Sequence, residues 1–208
     1  MKNSFVSALA FHYLCGCYIF QDGMTGVLNV LRLVGSPQSM WERIFGCSSS
    51  GSLELNMYYP LVGLLAASSF MKLAYDPLST LQSVIIGAVV LFVSFFLGYV
   101  VASILISMLL PGIQEKGKAT SDGRVRTFVM YNMSIFVLIE IVKNLLPVED
   151  MPLMYVFMLY ILYVISKSAR FFSLKPERSV LFTVGTFCVI VFTPALFSMI
   201  LYKLIPTV

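Results

Sequence analysis

Long hydrophobic stretches alternate with short polar ones along this chain, and each hydrophobic stretch is about as long as a helix. From Pro77 to Gln114 no side chain is charged, and several shorter apolar runs follow. A transmembrane helix needs about 20 mostly apolar residues to cross a hydrocarbon core of about 30 Å. The longest run exceeds that length. The pattern therefore predicts an all-α protein, a polytopic bundle of transmembrane helices.

The apolar runs predict five spans, which together form a membrane domain over residues 55–206. We place the spans at residues 55–71, 83–110, 127–146, 151–166 and 179–202. Pro111-Gly112 ends the second run and Pro147 ends the third. Proline lacks the backbone N–H that a continuing helix needs, so both positions are typical of helix ends.

Composition supports a membrane protein and argues against several functional classes. Hydrophobic residues make up 59% of the chain and charged residues 12%, whereas soluble domains carry roughly a quarter charged residues. With one histidine and four cysteines, none of them in a CxxC pair, we expect no metal site. No P-loop, GxGxxG, HExxH or GxSxG motif is present. We therefore expect no enzymatic activity and no cofactor.

Basic residues alternate between the predicted loops and indicate an orientation. They concentrate before the first span and in the loops after spans two and four, at Arg32, Arg43, Lys116, Lys118, Arg124, Arg126, Lys167, Arg170, Lys175 and Arg178. The other loops carry Lys72 with Asp76, Glu149 with Asp150, and finally Lys203. Short loops rich in Lys and Arg stay cytoplasmic. Five spans then place the N-terminus in the cytoplasm and the C-terminus outside, and the net charge of +4 reflects topology rather than nucleic-acid binding.

Residues 24–54 form an amphipathic lead before the first span. Ser36-Pro37 combines a helix N-cap residue with proline at the first helical position, which predicts that a short helix begins there. Trp41, close to Arg43, indicates a helix lying in the cytoplasmic interface with Trp41 as its anchor. The alternative is a helix packed against the cytoplasmic end of the bundle, and the pattern alone does not separate the two.

Residues 1–23 form an apolar segment that resembles a secretory signal, because residues 3–21 carry no charge. Export of this N-terminus would place Arg32, Arg43 and both basic loops outside, against the positive-inside rule. We weigh an upstream start, with the natural chain beginning near Met24, an extra membrane-associated helix, and a true signal. The charge pattern favours the first interpretation.

Glu140 is the candidate functional residue inside the third predicted span. Lys143 follows three residues later, on nearly the same helix face. An ionisable group at membrane depth often marks an ion or proton path. Glu140 is also only about two helical turns from Pro147, where Lys143 can snorkel to the outer interface and pair with the carboxylate. We favour the structural pair.

Two further features predict helix packing. Ser94, Gly98 and Ala102 follow one another at four-residue spacing in the second span, a small face that lets helices approach closely within a bundle or between protomers. Pro194 predicts a kink in the fifth span. The kink frees the carbonyl of Ile190, which the hydroxyl of Thr193 or a neighbouring group can satisfy.

Several short motifs, taken in order, resemble one family. They are Ser36-Pro37-Gln38-Ser39-Met40-Trp41, Tyr59-Pro60-Leu61, Pro111, Tyr160-Ile161-Leu162-Tyr163, Lys175-Pro176-Glu177-Arg178 and Pro194. Their order and spacing over residues 24–206 resemble the bacterial branch of the Yip (Ypt-interacting protein) family of five-span membrane proteins. One departure is Tyr131-Asn132-Met133-Ser134, which lacks the proline that often follows a tyrosine early in span three. The resemblance implies a cytoplasmic N-terminus, an outside C-terminus and a bacterial cytoplasmic (inner) membrane.

These observations favour a non-catalytic membrane protein that binds partners or organises the bilayer as a scaffold. Its expected partners are membrane lipids and other proteins or a second copy of the chain, not nucleic acid. One alternative is a transporter or channel for a small solute, ion or proton that uses Glu140. A second alternative is a lipid-handling protein that acts through the helix of Trp41.

Overall fold

The computed structural model describes residues 23–46, 57–115, 120–146 and 152–205. About 90% of the structure is helical, and the described residues contain no strand. The all-α prediction is confirmed. The doubtful segment before Gly23 and the end of the predicted lead, residues 47–54, lie outside the described residues.

Eight α-helices and three 3-10 segments make up the described chain. The α-helices are α1 Gly23–Gly35, α2 Pro37–Gly46, α3 Tyr59–Ser68, α4 Lys72–Tyr75, α5 Leu81–Ile113, α6 Asp122–Leu145, α7 Pro152–Ser168 and α8 Ser179–Leu204. The 3-10 segments are Ser69–Met71, Ala169–Phe172 and Pro176–Arg178. In this part of the chain α5, α6 and α8 are long and apolar enough to cross a membrane.

The first and fourth predicted spans are shorter than these three helices, and the first is interrupted. The first consists of α3, a 3-10 segment and α4, with 10, 3 and 4 residues. The Ser68 hydroxyl donates to the Leu65 carbonyl at 2.7 Å, a backbone contact that competes with α-helical bonding and accompanies the change to 3-10 geometry. The fourth span is α7, with 17 residues. Helix lengths therefore establish three candidate spans, and the count of five stays a prediction.

Helix α6 lies at the centre of the bundle. In its apolar stretch 72% of the residues are buried, against 39% in α5 and 28% in α8. It packs against α1, α3, α5, α7 and α8. Since the outer faces of α5 and α8 are apolar but exposed, they are the surfaces that a bilayer would cover.

Helices α5 and α8 form the most extensive helix pair of the described chain and run antiparallel. Near the start of α5, a β-carbon at Gly87 would lie 3.5 Å from the Tyr202 hydroxyl near the end of α8. At the other end, the Arg178 guanidinium donates to the Gly112 carbonyl at 2.6 Å. Each helix therefore begins where the other ends.

Two prolines lie inside these helices. Helix α5 continues past Pro111 to Ile113, because proline in the last turn loses only its own N–H and the Gln114 amide still donates to the Leu110 carbonyl at 3.0 Å. Helix α8 continues through Pro194. The hydroxyl of the preceding threonine donates to the carbonyl of Val189. The hydroxyl thus bonds a carbonyl one position before that of Ile190, and the predicted kink at Pro194 stays a prediction.

Candidate functional site

Helix α2 packs against the bundle. It begins at Pro37, as predicted. The Trp41 side chain is fully buried, and its indole N–H donates to the Val164 carbonyl of α7 at 3.1 Å. Met40 and Ile44, on the same apolar side of α2, are buried too. The indole contacts protein rather than lipid, so the predicted interfacial anchor at Trp41 is corrected to a residue of the core.

Aromatic rings surround Trp41 at the end of the bundle where α5 and α7 finish and α6 and α8 begin. We call this end the basic end. The ring centroids of Trp41 and Phe128 lie 5.6 Å apart, those of Phe128 and Phe172 5.0 Å, and those of Phe172 and Phe182 5.3 Å. Such pairs contribute about 0.5–1.5 kcal/mol each beyond their buried area. These rings join α2, α6, α8 and the 3-10 segment after α7.

Three cations at the basic end lie over aromatic rings, and we call them the ring-held cations. The Arg124 guanidinium is 5.8 Å from the ring centroid of Phe45, the Lys167 ammonium 5.1 Å from that of Tyr163, and the Arg170 guanidinium 4.9 Å from that of the adjacent Phe171. Arg170 also pairs with Glu42 of α2 at 2.9 Å. Cation–π contacts at exposed sites stabilise by about 0.5–1 kcal/mol, so the rings hold these charges in defined positions.

A groove separates the start of α2 from α7, and we call it the α2–α7 groove. It has a volume of about 390 Å³ and is lined by residues 35–39, Glu42 and Tyr163. The Tyr160 hydroxyl of α7 donates to the Val34 carbonyl and fixes the end of α1 beside it. The groove is thus an open depression between two helices, with walls that are about equally polar and apolar.

The two basic loops, which the sequence shows only as separate topological signals, are joined by backbone hydrogen bonds. The Glu115 amide donates to the Ser173 carbonyl at 3.1 Å, and the Lys175 amide donates to the Ile113 carbonyl at 3.2 Å. Ser173 has φ 48°, in the left-handed region, and it ends the 3-10 segment. No local sequence pattern predicts this pairing, because the two backbone segments come from distant parts of the chain.

Glu140 and Lys143 form an ion pair near the opposite end of the bundle. Their charged atoms are 3.6 Å apart, and the side chains are 16% and 52% exposed, respectively. A pair this exposed contributes about 0–1 kcal/mol. Nearby, Asn144 donates to the Ser68 hydroxyl at 3.0 Å, and the Tyr75 hydroxyl donates to the Asn144 carbonyl at 2.8 Å. The geometry favours an ion pair with a structural role at this edge of the bundle over an ion or proton path.

The predicted small face of α5 and the predicted kink of α8 meet. Ser94, Gly98 and Ala102 are all buried. A β-carbon at Gly98 would lie 3.0 Å from Cγ and 3.2 Å from the backbone nitrogen of Pro194. The absence of a side chain at Gly98 is therefore what lets the two helices approach at this level.

The fold defines a helical membrane protein whose described part contains three candidate spans. Within the described ranges, no group of three or more His, Cys, Asp or Glu side chains forms a candidate metal site. Comparison with known proteins finds no matching family model, no matching curated protein and no matching solved structure.

Proposed function

We propose that this chain is a five-span integral membrane protein that performs no catalysis and acts by binding at its basic end. There it engages partners or organises the bilayer. The observation that carries this proposal is the set of ring-held cations, Arg124, Lys167 and Arg170, fixed around a packed aromatic core. Charges held in place on a rigid end of a bundle suit recognition of an anionic surface.

Two shorter helical stretches, α7 and the segment from α3 to α4, supply the two remaining crossings in this proposal. Helix α7 has 17 residues, and at 1.5 Å per residue it spans about 26 Å. Local thinning of the bilayer and snorkelling of flanking residues accommodate a short helix at modest cost. The segment from α3 to α4 has a similar length. Contacts between helix ends, such as Tyr75 with Asn144 and Arg178 with Gly112, support an alternating up-and-down path.

The charge distribution supports a cytoplasmic basic end. Of the described Lys and Arg residues, the basic end has Arg43, Arg124, Arg126, Lys167, Arg170, Lys175 and Arg178, whereas the opposite end has Lys72, Lys143 and Lys203. Arg32 lies in the last turn of α1. By the positive-inside rule the basic end faces the cytoplasm and α8 finishes outside. A place in the bacterial Yip branch, and with it a bacterial cytoplasmic membrane, is part of the proposal and rests on the motifs quoted above.

The rival proposal, a transporter that uses Glu140, has less support. Groups that carry ions through a membrane usually face the bundle interior or a water-filled cavity. Glu140 instead pairs with a half-exposed Lys143 at the rim.

Photocrosslinking in the membrane, combined with flux measurements, tests the proposal. A photoreactive residue at exposed Arg126 of the basic end, and a matched one at Leu78, which is 89% exposed at the opposite end, report which end engages other molecules. We expect discrete adducts from position 126, identified by mass spectrometry, and none above background from position 78. Proton or ion flux in proteoliposomes that is lost in Glu140→Gln would overturn the proposal, as would equal labelling at the two ends.

A further inference from the structure

We propose that the α2–α7 groove is a binding site for an anionic phospholipid, with the headgroup at Lys167 and the acyl chains along α7. This inference rests on the proposed function, because it names the partner that the basic end engages. It assigns a specific site instead of a diffuse attraction between a basic end and a negative membrane surface.

Helix α7 presents an exposed apolar stripe that leads to the groove. Val156, Leu159 and Tyr163 are 61%, 64% and 46% exposed, and their spacing of three and four residues places them on one helix face. Lys167 continues this face one turn later. In a membrane protein an exposed apolar stripe of this kind is covered by lipid tails.

The Lys167 side chain leans toward the groove, so that its ammonium lies beside Tyr163. Side chains on a helix lean toward its N-terminus, so a residue covers the turn before its own Cα. The ammonium of Lys167 accordingly lies 5.1 Å from the ring centroid of Tyr163, which forms a wall of the groove. Along the axis of α7 the two residues are four positions, or about 6 Å, apart.

Polarity along this path matches the order of chemical groups in a phospholipid. The apolar stripe would take the acyl chains, and the exposed Gln38 amide in the groove offers hydrogen-bond donors for the ester and glycerol oxygens. The Ser36 and Ser39 hydroxyls donate to the carbonyls of Arg32 and Ser36 and can act only as acceptors there. Lys167 would then meet the phosphate. This sequence of apolar surface, neutral donors and a cation runs in one direction.

The balance of charge selects an anionic lipid. The one carboxylate that lines the groove, Glu42, is 2.9 Å from the Arg170 guanidinium and is neutralised by it. Over the described ranges Lys167 has a ring contact and no carboxylate partner. Glu42 in the groove and the neighbouring Arg170 and Lys167 together carry a net charge of +1, which a headgroup with net negative charge complements better than a zwitterionic one.

Native mass spectrometry of the full-length protein with phosphatidylglycerol and phosphatidylcholine tests this site. We expect the wild type to retain phosphatidylglycerol in preference. Lys167→Gln should weaken that binding about fivefold, since one basic residue near an anionic surface contributes about a tenfold factor at most. Tyr163→Leu should weaken it as well, because it removes the ring that holds the ammonium. Helical circular dichroism and melting confirm that each variant is folded.

The matched control is Lys175→Gln, which removes the same type of charge at the same end but away from the groove and from the ring-held cations. Its phosphatidylglycerol binding should equal that of the wild type. Wild-type binding by Lys167→Gln, or equal weakening in Lys175→Gln, would overturn the inference. In one outcome the photoadducts at the basic end contain protein alone, while Lys167→Gln retains phosphatidylglycerol as the wild type does. In that case the inference fails and the proposed function stands. Flux dependent on Glu140 would instead remove the proposed function.

Discussion

The contact between Gly98 and Pro194 leads to a quantitative prediction for Gly98→Ala. The new β-carbon would meet Pro194 Cγ at 3.0 Å, its backbone nitrogen at 3.2 Å and Cδ at 3.3 Å. These atoms belong to a ring and to backbone, so none of them can swing aside as the end of a flexible side chain does. The helices must separate by a few tenths of an ångström or accept the overlap.

Two opposing effects set the size of the change. Overpacking a well-packed site costs about 1–3 kcal/mol, whereas alanine is better than glycine in a helix by about 1 kcal/mol. We therefore expect Gly98→Ala to lower the free energy of unfolding by about 1 kcal/mol net, which is about a fivefold change in the equilibrium constant. Gly98→Val, with more atoms at the same contact, should cost more.

Matched glycines separate the two effects. In α3 and α8, a β-carbon at Gly63 or at Gly185 would meet nothing within 4 Å, so alanine there should be neutral or stabilising by up to about 1 kcal/mol. Unfolding by SDS added to protein in mixed micelles, monitored by circular dichroism, gives the free energy of unfolding for each variant. A double-mutant cycle with Pro194→Ala should show that removing the ring relieves most of the cost at Gly98.

An increase in the free energy of unfolding on Gly98→Ala would refute this reasoning. If Gly98→Ala stabilises the protein as much as Gly185→Ala does, no rigid group opposes the new β-carbon. Absence of coupling to Pro194→Ala would lead to the same conclusion. Either result would mean that α5 and α8 do not meet at this level.

Three further changes test other parts of the structure. Trp41→Ala should lower the melting temperature, with a loss of about 3–5 kcal/mol, because it empties a buried site and removes a hydrogen bond. The Ser79 hydroxyl holds the pKa of Asp76 below its usual range, so the stability from this turn is present above the unfolded pKa and is lost as pH falls through the folded pKa. The protection factors of the turn amides against hydrogen exchange should therefore fall in acid, and Asp76→Asn should remove that pH dependence. Glu140→Gln should change the unfolding free energy by at most about 1 kcal/mol, because its partner Lys143 is half exposed.

Each of these expectations has a clear contrary result. A Trp41→Ala variant that melts like the wild type would show that α2 is not packed on the bundle. Protection factors of the turn amides that still fall in acid in Asp76→Asn would show that another group takes up the responsible proton. A large loss of stability in Glu140→Gln would mean that the carboxylate makes a buried contact beyond its ion pair.

The long helices and the start of α2 follow from local sequence. Uncharged apolar runs are sufficient to predict α5, α6 and α8, since a helix satisfies its own backbone within the run. Ser36-Pro37 marks the beginning of α2 for the same local reason. The ends of helices were less predictable: Pro111 lies inside the last turn of α5 rather than after it.

The environment of Trp41 was not predictable, because its partner is remote. Its indole donates to a carbonyl 123 positions away, on α7. An amphipathic pattern shows that one side of α2 is apolar, and lipid or protein would satisfy that side equally well. The same holds for Gly98, whose spacing indicates packing but not the identity of Pro194 as the neighbour. Local sequence patterns therefore predict which face of a helix is apolar or small, whereas contacts between distant parts of the chain determine what packs against that face.

The packing of α5 on α8 also bears on the choice between a scaffold and a transporter. Alternating access requires one group of helices to move against another around a central site. Helices α5 and α8 are in contact near both ends, at Gly87 with Tyr202 and at Gly112 with Arg178, and in the middle through Gly98. Two long helices held at three levels move as one body, so a transport cycle would have to displace α7 with α2. That movement keeps the hydrogen bond of Trp41 and the Glu42–Arg170 pair, because both join α2 to α7 and the segment after it. It would separate the ring of Trp41 from that of Phe128 on α6, whereas a scaffold keeps this contact.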